Sequence, residues 1–345
     1  MAAANTTVRD RLRGDRALTV SLATPHDPPR IDDHVGEGGP HTLAADVRAG
    51  LARDPPEISP KYLYDARGSE LFERITTLAE YYPTRCERAI LNRHAPELVD
   101  GMEELVELGS GMASKTRALL YALAASGTLR RFVPFDVDES VVRLCADELQ
   151  ELYPGLAVHG VVGDFEHDLR HIPAGERRLF ALLGGTLGNL HPEQRAGLLG
   201  DLAELMGPSD RLLLGCDLVK DRAVLEAAYD DAEGVTAAFN LNLLAVLNTA
   251  LDADFDLGAY AHVARFDEVN SRIEMRLRAR RDQHVRIAGA GIELELAAGE
   301  EIRTEISTKF TPQRIGEELE RAGLAFEALH SDDEGLFSVT AARGL

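Results

Sequence analysis

Between about residues 105 and 218 the chain switches repeatedly between two hydrophobic patterns, and this alternation restricts the fold more than any other feature. Short, almost continuous apolar runs at 105–108, 132–137, 158–163, 179–184 and 211–218 are separated by helix-length amphipathic stretches such as 116–125 and 139–152. A strand with one solvated face alternates apolar and polar residues, whereas a continuous apolar run needs cover on both faces. Parallel strands between two layers of helices meet that need, so the spacing predicts a doubly wound α/β domain.

After Val219 the pattern changes. Residues 221–251 read as helical, and two stretches of period two follow. Ile273, Met275, Leu277 and Ala279 share one face of the first; Ile292, Leu294 and Leu296 share one face of the second, continued after Gly299 by Ile302, Thr304 and Ile306. These are half-buried antiparallel strands that do not belong to a parallel sheet. A helix at 312–322 and a final strand near 337–341 can return to it. The expected division is a first domain from 84–219 and 309–345, and an α+β second domain from 220–308 completed by 43–83. Residues 1–42 carry a short apolar patch at Leu18–Leu22 and the breakers Pro28-Pro29 and Gly36 to Pro40, and read as a mobile tail.

Charge narrows the ligand. Acidic residues outnumber basic ones 58 to 37, for a net charge of −21, which opposes nucleic acid and suits small cationic ligands. No apolar run reaches the roughly 18 residues a membrane helix needs. Cys86, Cys145 and Cys216 are scattered, so neither a disulfide framework nor a zinc cage is expected and the chain reads as cytoplasmic. His167 and His171 would share a helix face, but no third ligand of suitable spacing accompanies them, and no metal is expected.

The first predicted strand runs into Val106-Glu107-Leu108-Gly109-Ser110-Gly111. Gly109 and Gly111 let the backbone approach a ligand where a Cβ would collide. Ser114 stands where the dinucleotide fingerprint has its third glycine, which argues against NAD. The second strand ends in Phe135-Asp136-Val137-Asp138, where Asp136 is placed to accept ribose hydroxyls and Asp138 to cap the next helix. The third ends in Gly163-Asp164-Phe165, an acid for an adenine amino group beside an aromatic ring for the base. Acids at successive strand ends without a phosphate loop describe an adenosine site.

This spacing resembles the class I S-adenosylmethionine-dependent methyltransferases. A closer resemblance lies in six ordered motifs: Lys61-Tyr62-Leu63-Tyr64-Asp65-Ala66-Arg67-Gly68-Ser69, Glu80-Tyr81-Tyr82-Pro83-Thr84-Arg85, Leu183-Gly184-Gly185-Thr186-Leu187-Gly188-Asn189-Leu190, Asp217-Leu218-Val219-Lys220-Asp221, Ala228-Tyr229-Asp230-Asp231 and Thr304-Glu305-Ile306-Ser307-Thr308-Lys309-Phe310. Together they resemble the histidine-specific Nα-methyltransferases of ergothioneine biosynthesis over roughly residues 45–345. The resemblance implies a Rossmann-like sheet with helices on both faces, a second α+β substrate-binding domain, and a monomer that trimethylates the α-amino group of L-histidine to hercynine. It implies S-adenosylmethionine as methyl donor, held by Tyr64, Gly109, Gly111, Lys115, Asp136, Asp164 and Phe165. Lys115, one of only four lysines, would meet the methionyl carboxylate.

For the substrate, the resemblance implies Asn189 and Tyr229 at the carboxylate, Tyr81 near the α-amino group as the candidate catalytic residue, and Tyr64 and Met275 in the pocket. Glu305 and Ser307 would read the ring. They stand two apart on a strand and so share a face, expected opposite Ile302, Thr304 and Ile306; a carboxylate and a hydroxyl there can partner the two ring nitrogens. Another amino acid or a small amine is one alternative substrate, but an apolar side chain would leave both groups unpaired. A non-catalytic S-adenosylmethionine-binding scaffold is the other alternative.

Overall fold

The computed structural model describes residues 28–34 and 42–344. Eight strands form one sheet in the order β1 (Arg30–Asp33), β4 (Ala157–Val162), β3 (Arg131–Asp136), β2 (Glu104–Leu108), β5 (Arg178–Leu182), β6 (Arg211–Asp217), β13 (Phe337–Gly344) and β12 (Leu324–Ser331). The first six are parallel, β13 is antiparallel to β6, and β12 to β13.

The continuous apolar runs have the cause expected of them. Leu105, Leu179, Ala181 and Leu213 point to one core, with Ile90 and Leu91 of α3 (Pro83–Leu98), Leu119 and Leu123 of α4 (Arg117–Ala125) and Leu149 of α5 (Glu139–Leu152). Val106, Phe180, Leu182 and Leu212 point to the other, with Leu198 and Leu202 of α6 (Pro192–Leu205) and Ile315 and Leu319 of α9 (Pro312–Arg321). Asp138 caps α5 as expected, accepting from the amides of Ser140 and Val141.

The tail reading needs correction at Arg30–Asp33, which pair in parallel with His159–Val162. A polar contact favours this strand, whereas Gly160 serves the helix above it: a Cβ there would stand 2.4 Å from Val142 of α5 but at an ordinary 3.4 Å from Ile31. His159 Nε2 meets Asp32 Oδ2 at 2.8 Å. Leu18–Leu22 lies outside the described residues.

The remaining elements stand at the carboxyl ends of the parallel strands. They are α1 (Leu43–Leu51), α2 (Ala66–Ile75), α7 (Arg222–Tyr229), α8 (Val235–Ala250), the hairpin of β9 (Gln283–Ile287) and β10 (Ile292–Leu296), and an antiparallel sheet of β7 (Tyr260–Asp267), β8 (Arg272–Ala279) and β11 (Glu301–Thr308) in the order β11-β8-β7. Phe239, Leu243, Met275 and Ile302 from this layer belong to the same apolar core as Leu105 and Leu213, so packing is continuous across the expected boundary near residue 220. No helix of the described residues is long and apolar enough to cross a membrane.

One expectation of register is overturned. Ile302 pairs with Leu277, Glu305 with Met275 and Ser307 with Ile273, with a bulge between Arg303 and Glu305. The extra residue, Thr304, is buried with its hydroxyl donating to the Met275 carbonyl at 3.1 Å. Directly paired residues share a face, and a bulge shifts that phase by one. Glu305 and Ser307 therefore stand on the face of Ile302, Leu277 and Met275, not opposite Ile302. The other face is no solvated surface either. Arg303 bridges Glu57 and Glu274, and Arg276 bridges Glu274 and Glu301, so charged side chains there are buried in mutual pairs.

Candidate active site

The strand ends of the large sheet build one half of a cleft, as open α/β sheets do. Gly109 and Gly111 follow β2 with φ of +69° and +48°, and a Cβ on either would meet nothing within 4 Å. Glycine is needed there for the left-handed backbone, and the space above it is free for a ligand. Asp136 ends β3 and accepts from the Gly111 amide at 2.8 Å; burial raises its pKa, against the pull of that amide. Asp164 follows β4, accepts from the Glu166 amide at 3.0 Å and takes an ion pair from Lys61 at 3.1 Å, with the half-buried Phe165 next to it. Lys61 also meets Asp46 at 2.8 Å, so the segment carrying Tyr64 is tied to the strand-end acid.

Lys115 Nζ lies 3.5 Å from Glu87 Oε2. Glu87 is fully buried on α3 and accepts from the Gly184 amide at 2.7 Å. A Cβ on Gly184 would stand 2.5 Å from the Lys115 ammonium, so glycine after β5 is what lets the lysine lie across the loop. An adenosyl amino acid suits this half. Carboxylates at strand ends can accept from hydroxyls and an amino group, one ammonium suits a carboxylate, and among the described residues the buried Ser110 hydroxyl has no hydrogen-bond partner.

The other half comes from β11, α7 and the turn after β5. Thr186–Asn189 form a 3-10 turn packed on β11 so tightly that a Cβ on Gly188 would lie 2.8 Å from the Thr308 carbonyl oxygen. This close approach brings Asn189 against β11: its Nδ2 donates to the Ile306 carbonyl at 2.8 Å and to Glu305 Oε1 at 3.2 Å. Met275 is buried directly across from Glu305. The rings of Tyr64, Phe72, Tyr81 and Tyr229 follow one another at 5.4, 6.1 and 6.3 Å. Tyr64 is 43% exposed and Tyr81 8%. Burial, then the neighbouring Tyr229, Tyr64, Glu305 and Asp217, pushes the Tyr81 phenol well above its ordinary pKa, so it stays protonated. Burial lifts Glu305 to about 7, with Lys309 and Asn189 pulling it down.

The expected residues thus assemble in two adjoining sets. The Tyr229 hydroxyl, expected at the carboxylate, donates to Ser307 Oγ at 2.8 Å. Beneath this pair lies a polar cluster that the motifs contain but whose roles the residue-level reading did not assign. Lys309 Nζ donates to Asp217 at 2.7 Å, and Asp217 also accepts from the Tyr82 hydroxyl at 2.9 Å and from Lys220. The available signal was composition: all four lysines, Lys61, Lys115, Lys220 and Lys309, stand at this cleft in a chain whose other basic residues are arginines. A compact ammonium fits where a guanidinium fork would not. His171, for its part, stacks on His34 at 3.6 Å. Among the described residues, His94, Glu97 and His330 bring three possible metal-ligand atoms within 4.8 Å of one another; two lie on α3 about three turns beyond the Tyr81–Tyr82 end, away from the cleft.

A histidine N-alpha-methyltransferase of Mycobacterium tuberculosis is 50% identical over 315 residues, spanning 90% of this chain and 98% of that one. One of Mycolicibacterium smegmatis is 51% identical over 302 residues, 87% and 94% of the two chains. Ergothioneine biosynthesis protein 1 of Neurospora crassa is 32% identical over 195 residues, 54% of this chain and 22% of that protein. The family described as histidine-specific, SAM-dependent methyltransferase matches residues 43–344. With the parallel sheet, the strand-end acids and the six motifs all in place, the chain belongs to the histidine-specific, S-adenosylmethionine-dependent methyltransferases.

Proposed function

We propose that this protein transfers methyl groups from S-adenosylmethionine to the α-amino group of L-histidine in three steps, giving hercynine, the first step of ergothioneine biosynthesis. The observation that carries the reading is the 3.2 Å contact between Asn189 and Glu305. An amide suited to a carboxylate and an acid suited to an imidazole N–H stand within reach of one small amino acid. Both Asn189 Nδ2 protons are engaged within the chain. An incoming α-carboxylate takes the place of Glu305 on Asn189, and the freed Glu305 accepts from the ring.

S-adenosylmethionine supplies an electrophilic methyl group on a sulfonium. The chain's part is to hold the two reactants in line and to leave the amine unprotonated. Asp136 accepts the ribose hydroxyls, Asp164 the adenine amino group with Phe165 on the base, and Lys115 takes the methionyl carboxylate. Tyr64 lies where the two halves meet. Tyr81, kept as a phenol, orients the amine lone pair as a hydrogen-bond partner and is no base; the ammonium proton leaves through water. Residues 43–83 and 220–308 form the substrate-binding part. Mass spectrometry tests the reading: histidine should give a trimethylated product, and histamine, which lacks the carboxylate, should give none. Comparable turnover of both would overturn it.

A further inference from the structure

Lys309 is fully buried. Its ammonium has three protons and three acceptors: Asp217 Oδ2 at 2.7 Å, Ser307 Oγ at 2.8 Å and Tyr229 Oη at 3.0 Å. Burial opposes the charge, yet Asp217 and then Tyr229 hold its pKa above the ordinary lysine value, so all three protons are present and all three are used. Such a lysine does not reach for substrate. It fixes the atoms around it.

The consequence falls on Ser307. A hydroxyl oxygen has two lone pairs and one proton. Lys309 occupies one lone pair and the Tyr229 hydroxyl, 2.8 Å away, occupies the other. The serine can then only donate. Glu305, two residues earlier on the same face, can as a carboxylate only accept. A ring lying against both must offer a lone pair to one and an N–H to the other.

We propose that Lys309 is a positioning residue that makes Ser307 an obligate donor, so that the site takes the imidazole neutral, with its lone pair toward Ser307 and its N–H toward Glu305. This rests on the reading of Glu305 and Ser307 as the ring-binding pair. It also ties two tasks together. Tyr229 and Ser307 have two hydroxyl protons between them, one lies in the bond joining them, and one faces the ligand. While that one belongs to Ser307, the carboxylate falls to Asn189.

The test compares kcat/KM for histidine with that for β-(2-thienyl)alanine, a five-membered ring of similar shape without ring nitrogens. Three proteins are used: wild type, Ser307→Ala, and Lys309→Met, which leaves Asp217 paired with Lys220 so that no lone charge is left buried. Circular dichroism and calorimetric binding of S-adenosylmethionine verify the fold of each. The histidine-to-thienylalanine ratio should fall at least tenfold in both variants. A Lys309 variant that loses both substrates by the same factor has a merely structural lysine, and overturns the proposal. A fall in Ser307→Ala alone overturns the proposal while leaving the ring-binding pair standing. A fall in neither overturns both.

Discussion

At Glu305 the carboxyl titrates near 7 in the folded chain, against 4.5 ordinarily, because burial disfavours its charge more than Lys309 and Asn189 favour it. Between those values the folded protein retains a proton that the unfolded chain has lost, so stability falls as pH rises through the interval and stays reduced above it. Glu305→Gln should therefore melt higher than wild type at pH 8, by at most about 3 kcal/mol in stability, with little gain at pH 4.5. Scanning calorimetry at the two pH values decides it, and equal gains would show that the proton is not the cause. At the other end of the cleft, Asp136→Ala removes the acceptor proposed for two ribose hydroxyls, each charge-assisted bond being worth on the order of 1.5–3 kcal/mol. S-adenosylmethionine should bind at least tenfold more weakly to a folded variant, and unchanged calorimetric affinity would dismiss the assignment. Asp136 was legible because an acid at a strand end has one obvious outlook. Lys309 was not: a lysine just beyond a strand ordinarily faces water, and only the closure of α7, β6 and β11 around it makes it an interior donor.

At the scale of elements, sequence periodicity located the strands and failed at their phase. The doubly covered parallel strands could be read because continuous apolarity has one common cause. The bulge could not, since Thr304 is an ordinary strand residue and nothing in its identity announces two residues opposing one. The buried Glu274, Arg276 and Arg303 deceive in the same way, polar in sequence yet covered by pairing. Edge strand β12, missed altogether, carries Glu and His within its apolar run and so lacks a strand signature. The bulge is testable by removal. Deleting Thr304 closes the bulge while Arg303 stays opposite Arg276 and Glu305 opposite Met275, so Glu305 and Ser307 keep their face. Histidine methylation should stay within about tenfold of wild type, and calorimetric affinity for S-adenosylmethionine, built on other strands, within a few-fold. A loss of a hundredfold or more would mean that the pairing with β8 does not set the phase of the site.

Across the whole molecule the two halves of the cleft share one apolar core, and Lys61 links the substrate-side segment to Asp164 at a strand end. The segment boundaries suggested by periodicity therefore mark where the chain changes pattern, while packing makes a single body of it. The short strand β1 has a separate consequence. It covers the outer rim of β4, whose backbone amides and carbonyls would otherwise line an open margin beside Val158 and Val161. Such a margin invites pairing with another molecule's chain. At the opposite end, β12 carries a bulge between Phe326 and Ala328, with Glu327 paired to Arg211, both of which discourage a stranger. A chain beginning at Thr42 should thus retain its methyl-transfer site yet self-associate on concentration or warming. Light scattering of the truncated and full-length proteins side by side measures this, and equal scattering would show the exposed rim to be harmless. Four residues at the margin of the sheet then guard this enzyme against aggregation.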